Sequence, residues 1–257
     1  MSAQSSTPPR VSVVIPVRDD AVALRGCLAR LAAQSVPPLE IVVVDNGSTD
    51  DSAAVALAGG ARVVEELRPG VGAAAACGYD AALGDVIARC DADSRVPVDW
   101  IARIADAFAH DPALDAITGP GRFHDVPAPW AGLASVAYAF GTFVVAGAAI
   151  GNVPLWGSNM ALRRSAWTAI SHRATRDDAD VHDDLDVSMH LGPAARIRFD
   201  PRMRVSAEGR IFRSGDDVRR RVSIAMRTFR RNWADGGSPG RRWVRRLSPS
   251  RLRRVRR

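Results

Sequence analysis

The sequence predicts an α/β fold in which a mostly parallel, Rossmann-like sheet is flanked by helices. Short runs of consecutive apolar and β-branched residues recur along the first third of the chain, and segments with helical apolar spacing separate them. Strands that are apolar on both faces and alternate with helices are typical of parallel sheets covered on both sides. The 257 residues, 47% of them apolar and 25% charged, suffice for a large core and exclude a wholly disordered chain, a collagen and a bare coiled coil.

The elements follow one another in strand-helix order. The β-branched run Val11–Val17 predicts a buried strand. In the next segment Val22, Leu24, Leu28 and Leu31 recur at near-helical intervals until two prolines end the pattern. By the same reasoning the predicted strands are residues 11–17, 41–44, 62–64 and 85–89, and the predicted helices are residues 21–33, 51 onward, 72–83 and 185–191.

A stretch without charged residues, residues 126–162, interrupts this alternation. Its central part, residues 130–156, is long enough for a membrane-spanning helix, which needs about 20 mainly apolar residues. Frequent glycines and alanines make it only weakly hydrophobic. A spanning helix, a helix at a membrane interface and a helix buried in the core are all open, and we favour the last two.

Basic residues are concentrated towards the C-terminal end. From residue 196 onward the chain has 21 arginines and 5 acidic residues, whereas the preceding 195 residues have 14 arginines and 23 acidic residues. Three cysteines without metal-type spacing indicate neither a disulfide framework nor a zinc site, which favours a reducing, cytoplasmic location. Residues 1–10 are polar, lack the apolar segment of a secretory signal and are predicted to be a disordered lead-in.

Carboxylates follow three of the predicted strands, and ligands of such sheets bind at the carboxyl ends of strands. Asp19 and Asp20 follow the first strand. Asp45 ends the second and can accept a hydrogen bond from a base or a ribose, since Asp50 is better placed to cap the next helix. The segment Asp91–Asp93 follows the fourth, and its two carboxylates can face one divalent cation that bridges a diphosphate. The alternative interpretation of Asp91–Asp93 is an acidic turn that is exposed to solvent and binds no ligand.

A second acidic cluster, residues 177–186, precedes the last predicted helix. Crowding of like charges raises carboxyl pKa values and can produce a general base. The spacing of Leu185 and Met189 puts Asp183 and Asp184 at the N-terminal end of this helix, where the helix dipole stabilises carboxylates.

Five segments together resemble family 2 glycosyltransferases of the GT-A fold, through their order and spacing. The matching segments are Val13–Pro16, Val43–Asp50, Gly84–Asp93, Gly157–Arg164 and Asp183–Leu191.

The resemblance implies how the chain is divided. A glycosyltransferase domain would cover residues 11–212, with a nucleotide-binding half over 11–95 and an acceptor half over 96–212. A basic, helical extension would cover residues 213–257.

The resemblance also implies roles for single residues. Asp91 and Asp93 would bind Mg²⁺ or Mn²⁺ together with the diphosphate of a UDP-, GDP- or dTDP-linked sugar. Asp184 would be the catalytic base, with Asp183 standing where the family usually has glutamate. The residues implied to contact the donor or the acceptor are Pro16, Arg18, Asp45, Asp91, Ser158 and Asn159.

The implied reaction is a metal-dependent, inverting transfer of a sugar from the donor to a hydroxyl group or a lipid phosphate. The implied acceptor is a sugar, a lipid or a polyprenyl-linked molecule. The implied role is in the synthesis of cell-envelope components, glycolipids or polysaccharides. A carboxylate base and a divalent cation are the groups that such a transfer uses. Two alternatives are a nucleotidyltransferase and a non-catalytic nucleotide-sugar-binding protein of the same fold. The second draws on Ala76–Gly78, where many relatives have Ala-Arg-Asn.

Arginines interleaved with tryptophans allow three interpretations of the extension. They can hold a chain against anionic lipid headgroups, bind nucleic acid, or form a solvated tail. We favour peripheral attachment to the inner face of the cell membrane, where a lipid-linked acceptor would be found, and do not expect nucleic acid as a partner. Arg219–Arg221 could also close over the donor diphosphate.

Overall fold

A central sheet of seven strands forms the middle layer of the molecule, in a computed structural model that describes residues 8–127, 130–212 and 214–248. Its strands are β1 (Val11–Val17), β2 (Glu40–Asp45), β3 (Arg62–Glu65), β4 (Val86–Arg89), β5 (Ala116–Thr118), β7 (Met160–Arg163) and β8 (Ile197–Phe199). Two further strands, β6 (Gly121–Phe123) and β9 (Val205–Ala207), form a small second sheet.

The strand order is β3-β2-β1-β4-β7-β5-β8, and every neighbouring pair is parallel except those that involve β7. The predicted α/β fold with a mostly parallel sheet is therefore confirmed. The carboxyl ends of β1 and β4 lie side by side, because Val14 of β1 pairs with Arg89 of β4. The segments that follow these two strands consequently meet at one edge of the sheet.

Helices cover both faces of the sheet, and the predicted strand and helix boundaries in the first 95 residues agree with the structure to within two residues. The helices before the charge-free stretch are α1 (Ala21–Ala32), α2 (Ser52–Ala58), α3 (Val71–Ala81) and α4 (Trp100–His110). After that stretch come α7 (Arg164–Ile170), α8 (Asp183–Leu191), α9 (Gly215–Gly236) and α10 (Pro239–Leu247).

The core lies on the two faces of the sheet, as the alternation of β1 shows. Val13 and Ile15 pack with residues of α1, α2 and α4, whereas Val14 packs with α3 and α7. Helix α3 lies so close to the sheet that a Cβ on Gly78 would come within 2.3 Å of Val14 Cγ1. Glycine at this position is thus explained by helix-sheet packing.

The charge-free stretch forms one continuous helix, Trp130–Ile150, which we call the apolar helix. It consists of α5 (Trp130–Ala139), a π-helical segment (Phe140–Ala146) and α6 (Gly147–Ile150). Its length of 21 residues and a mean hydropathy of 1.9 would suffice for a membrane span. Only 17% of its most apolar 18-residue segment is buried within the molecule. The alternative of a buried core helix is therefore wrong.

The described part of the C-terminal extension, residues 214–248, is mostly helical and is anchored to the domain by the second half of α9. Thr228, Phe229 and Asn232 are buried, and Phe229 joins a small apolar cluster with Ile150 and Leu185. By contrast, residues 215–223 of the same helix are all exposed. Most of the predicted disordered lead-in (residues 1–7) and the last arginine block (residues 249–257) lie outside the described residues.

Candidate active site

A cavity of about 920 Å³ opens at the carboxyl ends of β1 and β4. The cavity is lined by the ends of these two strands and the residues after them, the turn before β7, and the start of α8 with the segment before it. The inner face of the apolar helix, α9 with the segment before it, and Val71 of α3 complete the lining. The residues predicted for the site that line it are Pro16, Arg18, Asp91, Asp93, Ser158, Asp183 and Asp184. The fold thus brings together Asp91 and Asp184, which are 93 positions apart in the sequence.

Asp91 is the first carboxylate after β4 and is held on both oxygens. Its Oδ2 accepts a hydrogen bond of 2.5 Å from Ser158 Oγ, and its Oδ1 accepts one of 3.1 Å from Arg89. Its backbone N–H donates to Ser94 Oγ at 3.0 Å, which tightens the turn after the strand. The carboxylate is therefore fixed in the cavity wall before any ligand binds.

Asp93 has a different environment, because it is largely buried and incompletely paired. Its side chain is 13% exposed, and its Oδ1 is buried with no hydrogen-bond partner among the described residues. Burial, followed by repulsion from Asp91, raises the pKa of Asp93 from 3.8 to about 7. The nearest cation is Arg210, whose Nε is 3.6 Å from Asp93 Oδ2 and whose guanidinium also pairs with Asp20 and Glu208.

These two carboxylates fit a divalent cation. Hard cations prefer oxygen ligands, and Mg²⁺ in particular is often held by one or two carboxylates and completes its shell with substrate phosphates and water. The unpaired Oδ1 of Asp93 is a free ligand atom of this kind. No cluster of three His, Cys, Asp or Glu side chains that could hold a metal occurs in the described part of the chain, so such a cation would depend on ligands from the substrate.

Arg89 links the two acidic motifs, and sequence reasoning missed it. It is 3% exposed at the end of β4, and its guanidinium pairs with both Asp91 and Asp183. A Cβ on Gly157 would come within 2.8 Å of Arg89 Cζ, so the glycine lets the main chain lie against the guanidinium. The sequence feature that could have identified Arg89 is the presence of an arginine within an otherwise apolar strand.

Asp183 and Asp184 begin α8, as predicted, and both line the cavity. Burial raises the pKa of Asp183, and the positive charge of Arg89 opposes this rise. Asp184 Oδ2 accepts a 2.9 Å hydrogen bond from the N–H of Gly157, and its Oδ1 accepts one of 2.7 Å from the N–H of Leu185. Backbone donors therefore orient the carboxylate of Asp184.

Two of the predicted site residues lie elsewhere. Asn159 is fully buried: its Oδ1 accepts from Trp100 Nε1 at 2.9 Å, and its Nδ2 donates to the carbonyl of Met203 at 2.6 Å. The residue is consequently part of the core, and its expected contact with donor or acceptor is corrected. Asp45 ends β2, accepts a hydrogen bond from the N–H of Ser48 and is not among the described residues that line the cavity.

The structure adds lining residues that the sequence did not single out. Tyr138 and Val145 come from the apolar helix, Val222 and Met226 come from α9, and Arg210 comes from the segment before α9. Arg220 and Arg221, which were singled out in the sequence as part of Arg219–Arg221, also line the cavity. The cavity therefore combines a floor of carboxylates with largely apolar walls and several arginines.

Comparison with known proteins gives a consistent result. The family model described as Glycosyl transferase family 2 matches residues 12–167, more than half of the chain. An uncharacterized glycosyltransferase of Mycobacterium tuberculosis (strain H37Rv) is 37% identical over 112 residues, which are 44% of this chain and 49% of the relative. The undecaprenyl-phosphate 4-deoxy-4-formamido-L-arabinose transferase of Sodalis glossinidius is 36% identical over 112 residues, covering 40% of this chain and 34% of the relative. The matches thus span half or less of these relatives' length.

The fold has a counterpart among solved structures. A mannosyltransferase from Pyrobaculum calidifontis, in complex with GDP-Man and Mn²⁺, superposes with a TM-score of 0.72. The match covers 96% of this chain and 73% of that chain at 22% sequence identity. At this identity the similarity establishes the shared GT-A-type fold.

Proposed function

The chain belongs to glycosyltransferase family 2, and we propose that it transfers a sugar from a nucleotide-sugar donor to the hydroxyl or lipid phosphate of an acceptor, with inversion. The observation that carries this proposal is the convergence of Asp91, Asp93 and Asp184 on one cavity at the carboxyl ends of β1 and β4. Ligands of parallel sheets bind at this edge. The donor would be linked to UDP, GDP or dTDP, as the similarity to a structure in complex with GDP-Man also suggests.

In this proposal the nucleoside lies along Pro16 and Arg18, and the diphosphate lies at Asp91 and Asp93. A Mg²⁺ or Mn²⁺ ion held by these two carboxylates would stabilise the negative charge of the departing nucleoside diphosphate. Ser158 keeps Asp91 in position through its 2.5 Å hydrogen bond. The role of Arg89 is to neutralise part of the acidic cluster, so that the carboxylates can stay close together in the absence of substrate.

Asp184 is our candidate for the catalytic base. Inverting transfer requires a carboxylate that removes the proton of the acceptor hydroxyl while its oxygen attacks the anomeric carbon. The two backbone N–H groups that bind Asp184 hold the carboxylate in place, and a second lone pair on each oxygen is left to accept the proton. With a phosphate acceptor, which is already ionised, Asp184 would mainly position the acceptor.

The acceptor side supports an envelope role. The Sodalis relative acts, by its name, on undecaprenyl phosphate. An acceptor of this class resides in a membrane, so we propose that the chain works at the inner face of the cell membrane. A sugar or glycolipid acceptor in the same location would in addition require Asp184 as the base that removes the hydroxyl proton.

The test is donor turnover with variants of the site. The purified chain is incubated with Mn²⁺ and a panel of UDP-, GDP- and dTDP-sugars, with undecaprenyl phosphate or simple glycosides as acceptors, and nucleoside diphosphate release is measured. Asp184→Asn should keep the thermal shift caused by donor and Mn²⁺ but lose transfer to a hydroxyl, whereas Asp91→Asn should lose both. Asp106→Asn, an exposed carboxylate on α4, is the matched control.

Two outcomes would contradict the proposal. Tight nucleotide binding without release from any sugar would identify a non-catalytic binding protein. Pyrophosphate release from a nucleoside triphosphate and a sugar phosphate would identify a nucleotidyltransferase.

A further inference from the structure

The outer face of the apolar helix is a continuous stripe of exposed apolar side chains. Trp130, Leu133, Val136, Phe140 and Val144 are between 54% and 68% exposed, and they recur every three or four positions. This spacing puts them on one face of the helix. We call this face the outer stripe. Contiguous apolar surface of this kind is rare on soluble monomers and marks a site of interaction.

The inner face of the same helix is occupied by the cavity. Ala137, Gly141 and Val145 line it, and Tyr138 and Phe143 make edge contacts with the aromatic rings of Trp156 and Phe199 of the domain. A membrane span would remove this wall from the cavity and break these contacts. The helix is therefore placed to lie along an apolar surface rather than to cross a bilayer.

Helix α9 faces the apolar helix across the cavity. Its residues Val218, Val222 and Met226 are 38% to 58% exposed and line the cavity at intervals of four residues. We call the space between them and Val145 the two-helix groove. The groove is apolar on both sides, and it belongs to the same cavity as Arg221 and the carboxylates of the site.

Helix α10, which is rich in arginine, is attached to the C-terminal end of the apolar helix. The C-terminal end of the apolar helix accepts hydrogen bonds from α10, namely Trp243 Nε1 to Ala148 O at 2.9 Å and Arg242 Nε to Ile150 O at 2.6 Å. On the free surface of α10, Arg241 and Arg245 are exposed, as are Val244 (71%) and Leu247 (65%). Apolar and cationic side chains are thus presented together, which is the composition that anionic bilayers attract.

We propose that the outer stripe and α10 dock the chain on an anionic lipid bilayer, and that the two-helix groove takes the hydrocarbon chain of an amphiphilic acceptor with an anionic head. Charge complementarity selects this occupant, because the exposed Arg241 and Arg245 of α10, and Arg220 and Arg221 beside the apolar side chains of α9 in the cavity, both suit anionic headgroups. The groove assignment deepens the proposed function by naming the acceptor class. Both parts are tested by binding, without donor, metal or turnover, so their failure is distinct from failure of the glycosyltransferase proposal.

The docking test is co-sedimentation with vesicles of phosphatidylcholine, with and without about 30% phosphatidylglycerol. The chain should bind the anionic vesicles. The variants Leu133→Gln/Phe140→Gln and Arg241→Gln/Arg245→Gln should each weaken binding by about tenfold or more, because burial of apolar surface and headgroup attraction both contribute. The control Val22→Gln/Leu67→Gln changes two side chains that are 90% and 86% exposed outside the proposed surface, and it should bind like the original chain.

Three results would overturn the docking assignment: no preference for anionic vesicles, undiminished binding of the outer-stripe variant, or a dimer in sedimentation velocity that Leu133→Gln/Phe140→Gln dissociates. The last result would identify a second copy of the chain as the partner of the stripe. Circular dichroism and thermal unfolding of each variant establish that it is folded before its binding is interpreted.

The groove test uses farnesyl phosphate below its aggregation concentration, compared with inorganic phosphate and farnesol. Farnesyl phosphate should bind at least about tenfold more tightly than either fragment, because it engages the apolar walls and the arginines together. Val145→Trp, which fills the groove, should abolish this binding. Val136→Trp places the same side chain on the outer stripe of the same helix and should retain it. Equal binding by both variants, or no binding by the original chain, would overturn the groove assignment.

Discussion

Asp93 gives a prediction in which the loss of a carboxylate makes the protein more stable. The side chain is 13% exposed, its Oδ1 has no hydrogen-bond partner among the described residues, and its pKa is raised from 3.8 to about 7. An aspartate with a raised pKa binds its proton more tightly in the folded state than in the unfolded state. Its contribution to stability is therefore lost as the pH rises from about 4 to 7.

The magnitude follows from the two pKa values. Each unit corresponds to about 1.4 kcal/mol, so ionisation of Asp93 costs the folded state up to about 4 kcal/mol at alkaline pH. At pH 5 part of this cost is already present, because the unfolded chain is ionised there. Asp93→Asn removes the titration while keeping the shape. The difference in unfolding free energy between Asp93→Asn and the original chain should therefore grow by about 2–3 kcal/mol in favour of the variant between pH 5 and pH 8.

The assay is urea denaturation at pH 5, 6, 7 and 8 in the presence of a chelator, followed by circular dichroism. Asp106→Asn, which removes an exposed carboxylate, serves as the control and should show no such growth with pH. A stability difference for Asp93→Asn that is independent of pH would refute the environment that we describe for Asp93. In a parallel experiment with Mn²⁺ and UDP, the ligands should stabilise the original chain at pH 8 and leave Asp93→Asn unchanged, since they bind only the native site.

Three further predictions concern packing and buried pairs, all measured by urea denaturation. Gly78→Ala should destabilise the chain by about 1–3 kcal/mol because its Cβ would come within 2.3 Å of Val14 Cγ1. Gly26→Ala, whose Cβ would have no neighbour within 4 Å in the described part of the chain, should be neutral or slightly stabilising. Equal effects of the two substitutions would contradict the close packing of α3. Arg89→Met should lower the unfolding free energy by about 3–5 kcal/mol because it leaves the carboxylate of Asp183 buried without its cation. Adding Asp183→Asn to this variant should recover part of the lost unfolding free energy. No recovery would argue against the Arg89–Asp183 ion pair. Asn159→Ala should lower the unfolding free energy by about 1–3 kcal/mol because it leaves Trp100 Nε1 unpaired, and an unchanged unfolding free energy would argue against this buried hydrogen bond.

The parallel half of the fold could be predicted from the sequence because its signals are local. β1 is a mainly apolar run that is buried at all seven positions, and the helix after it has clear apolar spacing that two prolines end. The carboxylates after β4 were found in the same way, since the sheet topology alone brings strand ends together. The antiparallel insertion of β7 was not predicted, because its four residues carry no signal for direction or partner.

The remaining differences depend on contacts that are distant in sequence. The family resemblance implied a ligand contact for Asn159, yet its hydrogen-bond partners Trp100 and Met203 lie 59 and 44 positions away in the sequence. The exposure of the apolar helix could not be predicted either. A segment without charged residues has no polar face, so its spacing does not show which side will meet solvent.

The one-sided attachment of α9 has a mechanical consequence for the cavity. The second half of the helix is held by buried Thr228 and Asn232, which bond to His182 and Asp186 of the domain, while residues 215–223 make a wall with no buried side chain. Such a wall can bend at little cost, because few packed contacts oppose the movement. Asp91 and Asp184, fixed by the sheet and by backbone donors, would not follow it. The cavity opening can thus widen or narrow to fit acceptors of different width, while Asp91 and Asp184 keep their distance from each other.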